Sequence, residues 1–303
     1  MSLTPRPVAA VVLAAMPEET QPFLDALPRL EGAPAVDLLG DAAQAVSLDL
    51  DGSELVLVRT GIGLVAAASA LAAALLQVRP EVIVSAGTTG GLGRDVEVGD
   101  VCASTTLAYN DVDATAFGYD LGQTPGQPAV FLGDEGLLAR VQERAEAALH
   151  GAIPGSGSSR VRTGQMLAGG SFVTAANVAD TRQLFPAAVS TDMESTALAQ
   201  VATTAGVPFA SVRGVSDLCG PEAGQDFHIG ADEAAARSAA VEPRSGAASR
   251  VSGSRPSSTP PGTRGYAPPW RGRWPGPMRR FHGRSRSAPS RCCPRTSPWP
   301  TAC

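Results

Sequence analysis

Two short stretches hold the residues best suited to chemistry: Ser-Thr-Asp-Met-Glu-Ser at 190–195 and Arg-Gly-Val-Ser-Asp-Leu at 213–218. Each sets a carboxylate, Glu194 or Asp217, at the end of an apolar, strand-like run. A carboxylate buried there is costly unless it is paired or put to use. A third acid, Glu19, follows the first strand-like run in Ala-Ala-Met-Pro-Glu-Glu at 14–19. Three acids at strand ends, with almost no other nucleophile beside them, predict acid–base chemistry on a glycosidic bond. Taken singly, each has a plainer explanation. Glu19 at a helix start would favour the helix dipole, and Glu194 or Asp217 could pair with Arg213.

The elements that would position these acids alternate as in an α/β domain. Residues 8–15 form a continuous apolar run, as a central strand covered on both faces requires. A helix is expected over 17–27, and a second strand over 54–59, ended by Thr60-Gly61-Ile62-Gly63. An alanine-rich helix follows over 65–78. A buried strand over 81–86 is expected to close on a glycine-rich turn, Gly87-Thr88-Thr89-Gly90-Gly91. Further strands are predicted over 100–109, 161–168, 189–191 and 208–213. Helices are predicted over 135–150, 176–184, 193–205 and 232–241. In open sheets ligands sit beyond the carboxyl ends of the strands, so the turns after 16, 60, 87, 192 and 216 should face one cleft. The expected architecture is a three-layer α/β/α sandwich with a mixed, twisted central sheet, in one domain over 1–241.

Composition supports a sizeable core, with 44% hydrophobic and 17% charged residues. The net charge of −5 hides an asymmetry: residues 1–241 carry a balance of −16, and residues 242–303 one of +11. The latter segment holds 12 Pro, 12 Arg and all three Trp, with no helical or strand period. It reads as an adventitious or frame-shifted tail interrupting the helix at 232–241; a natural dispensable tail and a basic nucleic-acid-binding arm are the alternatives. No nucleic-acid partner is expected. The acidic part contains only Cys102 and Cys219, His150 and His228 lack metal-like partners, and no apolar run approaches a membrane span. A cytoplasmic protein without signal peptide, disulfides or bound metal is the expectation.

Over residues 8–227 the chain resembles the methylthioadenosine/S-adenosylhomocysteine nucleosidases, within the nucleoside phosphorylase and nucleosidase superfamily. Seven motifs in order carry the resemblance: Met-Pro-Glu-Glu (16–19), Thr-Gly-Ile-Gly (60–63), Gly-Thr-Thr-Gly-Gly-Leu (87–92), Asp-Ala-Thr-Ala-Phe-Gly-Tyr (113–119), Gly-Gln-Thr-Pro-Gly (122–126), Asp-Met-Glu-Ser (192–195) and Arg-Gly-Val-Ser-Asp (213–217). The resemblance implies that Asp217, its carboxylate held by Ser216, protonates the purine. Glu194 would bind the ribose hydroxyls and face the cationic sugar, Met193 would pack on the ribose, and Glu19 would activate water. Phe172 would stack on adenine, the Val173 backbone would read its edge, and Phe227 would cover the ribose. Ile62, Thr88, Thr89, Gly90, Asp192 and Arg213 complete the implied substrate site. Phe117, Tyr119 and Pro125 match a loop given to the 5′ pocket of a neighbouring subunit, so a homodimer is implied. No cofactor is.

The chain departs from the family pattern in two places. Thr88 and Thr89 stand where a Ser-Ala pair is common, adding bulk near the purine and water. Gly170 stands where an Asp often precedes the stacking aromatic. Rival readings are a phosphorylase, a futalosine hydrolase releasing hypoxanthine, and a silent nucleoside-binding protein. An acid at 19 repels phosphate, and Asp rather than Asn at 217 favours adenine as the leaving group.

Overall fold

Apolar runs at the centre of the chain become the centre of a sheet. The computed structural model describes residues 4–38, 40, 43–152, 158–220 and 231–241, all within the unit Met1–Ser249. The helix expected over 232–241 is present as Ala231–Val241, while the tail after it, His228 and Phe227 lie outside the described residues. Strand β1 (Arg6–Ala14) pairs in parallel with β3 (Ser53–Arg59) on one side and β4 (Val78–Gly91) on the other. It is buried from Ala10 to Ala14, which is why its sequence shows no alternation.

The strand expected over 54–59 is the third in the chain. It is preceded by β2 (Gln44–Leu50), joined to it antiparallel across Asp51-Gly52. Both turn residues have positive φ, 53° and 83°, the pairing that a two-residue hairpin needs to match strand twist. The Asp-Gly dipeptide was the signal for this hairpin, obscured because β2 is an edge strand of mixed polarity.

Several expected boundaries move, and the strand expected over 208–213 runs on to Asp217. The helix expected over 65–78 ends earlier, as α2 (Leu64–Leu75), since Val78 already belongs to β4. The expected turn at 87–91 is the last third of β4. There the strand pairs with β9 (Phe209–Asp217) in parallel as far as Gly90. At Gly90 and Gly91 it also pairs antiparallel with β8 (Ala188–Asp192). Strand β5 (Val101–Tyr109), flanked in part by the short antiparallel β6 (Phe131–Leu132), joins β9 to β7 (Val161–Ala168), and β7 runs parallel to β8. The path β4–β9–β5–β7–β8 thus returns to β4, and one end of the mixed sheet closes on itself.

Helices cover both faces. Ala67, Ala70, Leu71 and Ala74 of α2 recur at helical spacing and are all buried; with Leu198, Ala199 and Ala202 of α5 (Ser195–Ala205) they cover one face. Phe23 of α1 (Pro17–Ala26) and Leu138, Val141 and Leu149 of α3 (Glu135–Ala152) cover the other, where α6 (Ala231–Val241) also packs. Each fully buried leucine such as Leu71 contributes about 1.5–3 kcal/mol of transfer free energy. Helix α4 (Val178–Leu184) lies over β7 and β8 through Val178.

Candidate active site

The carboxyl ends of β1, β4, β8 and β9 and the loops after β3 and β7 converge on one cavity of about 310 Å³. Its walls include Glu19, Ile62, Thr88, Thr89, Gly90, Phe172, Val173, Asp192, Met193, Glu194, Arg213, Ser216 and Asp217. The described residues that the resemblance assigns to catalysis and substrate binding are thereby brought together. Phe117, Tyr119 and Pro125 do not line it; Phe117 is 83% exposed on the single 3-10 turn Thr115–Phe117 after β5.

Glu19 is the third residue of α1, and its side chain folds back over the helix start. Oε2 accepts from the amides of Ala15 and Met16 at 2.8 and 3.1 Å, and Oε1 from the Thr88 amide and hydroxyl at 2.8 and 2.9 Å. Capping of the helix and service to the cavity are therefore one geometry, not rival explanations. The Thr88 hydroxyl points at Glu19, while that of Thr89 donates to the Thr191 carbonyl at 2.8 Å. Gly87 explains why β4 carries glycine here. Its φ is +134°, and a Cβ would collide with the Glu19 carboxylate.

Glu194 caps α5 from the end of β8. Oε1 accepts from the Gly63 amide at 2.8 Å, and Oε2 from Arg213 Nη1 at 3.2 Å. Asp192 orders the same turn, its Oδ1 accepting from the Glu194 and Ser195 amides at 2.7 Å each. Asp192 Oδ2 faces Arg213 Nε at 3.4 Å, an ion pair without hydrogen-bond alignment. Arg213 is 1% exposed, and its remaining donors reach the Thr88 carbonyl at 3.0 Å and Ser85 Oγ at 2.8 Å. Its charge is spent inside the wall. Burial alone would lower its pKa, but Asp192, Glu194 and Glu19 outweigh that and raise it.

Burial pushes the Glu194 carboxyl above its ordinary value, with Asp192 and Glu19 adding to the rise; Arg213 and the Gly63 amide oppose it. Between the ordinary carboxylate range and that raised value, the folded chain holds a proton that the unfolded chain has lost. Stability therefore falls as pH rises through this window. A Glu194→Gln variant is expected to flatten the dependence of Tm on pH there. Identical slopes in both proteins would place the titration elsewhere.

At the end of β9, Asp217 is 8% exposed and its two oxygens are separately held. Oδ1 accepts from the Cys219 amide at 2.8 Å, and Oδ2 from Ser216 Oγ at 3.0 Å. Cys219, absent from the sequence-derived candidates, also lines the cavity and has a left-handed backbone, φ 55°. Its amide closes a tight turn back onto the Asp217 carboxylate two residues earlier. Its thiol is pushed up to about 12, first by burial and then by the Asp217 charge, so it stays a neutral wall group. No sequence signal marked it. Phe172, 59% exposed, stands at the mouth, with Val173 buried behind it. Where an acid was missed at Gly170, Asp111 Oδ2 accepts from the Gly170 amide at 2.6 Å, so an acid does anchor that loop, from the segment after β5. Among the described residues no His, Cys, Asp and Glu cluster could hold a metal ion.

The chain as a whole is similar to proteins already known. Residues 9–244 match the family model described as the phosphorylase superfamily. A 5′-methylthioadenosine/S-adenosylhomocysteine nucleosidase of Geobacillus sp. (strain WCH70) is 37% identical over 191 residues, covering 63% of this chain and 79% of the relative. The nucleosidase of Neisseria meningitidis, solved with methylthio-immucillin-A, superimposes with a TM-score of 0.68 at 34% identity, over 77% of this chain and 96% of that one. The nucleosidase of Colwellia psychrerythraea, solved with adenine, does so with a TM-score of 0.67 at 31% identity, over 80% and 94%.

Proposed function

We infer that this chain, which belongs to the 5′-methylthioadenosine/S-adenosylhomocysteine nucleosidases of the phosphorylase superfamily, is an N-glycosyl hydrolase. It splits 5′-methylthioadenosine and S-adenosylhomocysteine into adenine and a 5′-thioribose product. One observation carries the reading: Glu19, Glu194 and Asp217 line a single cavity, and Arg213, the one cation lining it among the described residues, is already engaged by two carboxylates.

Breaking an N-glycosidic bond builds cationic character on the sugar and negative charge on the departing base. In the mechanism we propose, Asp217 carries a proton to the purine nitrogen, so that the base leaves neutral. Ser216 Oγ and the Cys219 amide hold its carboxyl in line. Glu194, fixed between Gly63 and Arg213, accepts the ribose hydroxyls and stabilises the cation through its negative charge. Glu19 accepts the proton of the attacking water, because its four donors leave the carboxylate oriented but not cationically paired. Phe172 offers its ring as a stacking face at the mouth, and Met193 packs on the sugar. Phosphate would need a free cation in the wall, and among the described residues none lines the cavity.

The active assembly in this proposal is a homodimer acting on small nucleosides in the cytoplasm, without cofactor, and residues 1–241 form its working domain. The exposed Phe117, with Tyr119 and Pro125 on the same loop, would close the 5′ end of a partner's cavity. Phe227 would cover the ribose. The free, buried thiols of Cys102 and Cys219 are in keeping with a reducing compartment.

Chromatographic assay of methylthioadenosine, S-adenosylhomocysteine and futalosine, with and without phosphate, tests the reaction. Adenine release from the first two, at a rate indifferent to phosphate, is the expected result. Hypoxanthine alone would overturn the substrate, and a sugar phosphate product would overturn hydrolysis.

A further inference from the structure

Behind the cavity wall, three serine hydroxyls sit in the apolar interior in a row that begins at Arg213. Arg213 Nη2 donates to Ser85 Oγ at 2.8 Å; Ser85 Oγ lies 3.2 Å from Ser195 Oγ, and Ser195 Oγ 2.8 Å from Ser211 Oγ. All three serines are fully buried. Ser85 and Ser211 face each other across β4 and β9, and Ser195, the first residue of α5, meets both. The head of the row is fixed by charge. A guanidinium only donates, so Ser85 Oγ accepts from Arg213, while in each of the pairs Ser85–Ser195 and Ser195–Ser211 either hydroxyl can be the donor. At the far end, the backbone amide of Ser211 donates to Ser104 Oγ at 2.8 Å, anchoring the strand rather than the hydroxyl.

Hydroxyls in a core cost free energy that alanines of the same backbone would not. A hydrogen-bonded chain headed by a charge is the arrangement in which they polarise one another. We propose that Ser85, Ser195 and Ser211 are positioning residues: their relay fixes the Arg213 guanidinium, and through it the Glu194 oxygen that faces the sugar. This rests on Glu194 acting as the sugar-facing acid. Glu194 Oε2 has Arg213 Nη1 as its hydrogen-bond donor, and Nη2 of the same planar group ends on Ser85. Remove that acceptor and the plane loses its hold on the Nη2 edge, so that only the Nη1 and Nε contacts restrain the tilt that aligns Nη1 with Oε2. Ser195 has a second hold on the same site, since its amide and that of Glu194 share Asp192 Oδ1. An error in the position of an anion that meets a charge formed only in the transition state lowers kcat more than it changes KM.

The test uses the full chain with Ser85→Ala, Ser195→Ala, the double variant, and Thr196→Val as comparator. Thr196 is the next residue of α5, equally buried, and its hydroxyl donates to the Ala108 carbonyl at 2.9 Å, outside the relay. Steady-state adenine release from methylthioadenosine and Tm are read for each. Both relay singles are expected to lose roughly ten-fold in kcat with KM little changed. The double should lose no more than the worse single, as groups acting in one chain do. Thr196→Val should lower Tm but keep kcat. Should Ser85→Ala fail to fold, Ser211→Ala at the far end of the row carries the same expectation. Wild-type turnover in the same assay separates two failures. A wild type that releases no adenine sinks the reaction and the relay with it. An active wild type whose Ser195→Ala behaves like Thr196→Val, or whose losses simply add, overturns the relay alone.

Discussion

An Asp217→Asn chain is expected to bind adenine and its thioether nucleosides nearly as well as wild type while turning over at least about a hundred-fold more slowly. The substitution keeps shape and both anchoring contacts. An asparagine carbonyl oxygen can still accept from the Cys219 amide, and its amide can still meet Ser216 Oγ, the partners that hold Asp217 at 2.8 and 3.0 Å. What it lacks is a proton that can leave. An amide N–H donates a hydrogen bond to a purine nitrogen but cannot neutralise the departing base. Ligand titration and single-turnover adenine release separate the two effects. A near-normal rate with intact binding would mean that another group, or water alone, supplies the proton.

Arg213→Met should produce the largest loss of stability of any single change at the site, about 3–5 kcal/mol. Methionine roughly fills the volume, so the cost is electrostatic. Asp192 Oδ2 and Glu194 Oε2, both nearly buried, would face each other's charge without the cation now 3.4 and 3.2 Å away. The Thr88 carbonyl and Ser85 would lose donors at the same time. Without the cation that opposes its rise, the buried Glu194 carboxyl is driven further up, so the folded variant retains a proton where its unfolded chain has released it. Its stability must fall as pH rises above the ordinary carboxylate range, and the gap to wild type must widen. Denaturant melts of both proteins across pH measure this directly. A pH-independent deficit below about 1 kcal/mol would show that the cation is not what makes these carboxylates tolerable.

The membership of the cleft was legible because strand ends are marked locally. An uninterrupted apolar run followed by Gly, Asp or Ser identifies a buried strand and its carboxyl end, and α/β topology sends such ends to one side. This is how Glu19, Glu194 and Asp217 could be grouped although nearly two hundred residues separate the first from the last. The edge strand β2 was hidden for the converse reason. Half exposed, it shows no strong period, and only Asp51-Gly52 betrayed the hairpin.

Other features follow from contacts between strands distant in sequence. Glycine at 87, 90 and 91 looks like turn chemistry when read along the chain. In the fold these residues continue β4, because the Glu19 carboxylate occupies the place of a Cβ at 87, and Cys219 Sγ does so at 90. A local sequence cannot tell a glycine needed for a bend from one needed for a neighbour. Arg213 poses the same problem with charge: beside an acid-rich motif it could bind substrate or hold the acids. Its spending on Asp192, Glu194, Thr88 and Ser85 depends on β9 lying against β4 while β8 meets the far end of β4. The residue types and their spacing therefore determined which chemistry this chain can perform and which strand ends perform it. Which charges are left free to meet a ligand was decided only by the order of strands in the sheet, because electrostatic pairing is set by distances of a few ångströms that chain separation does not encode.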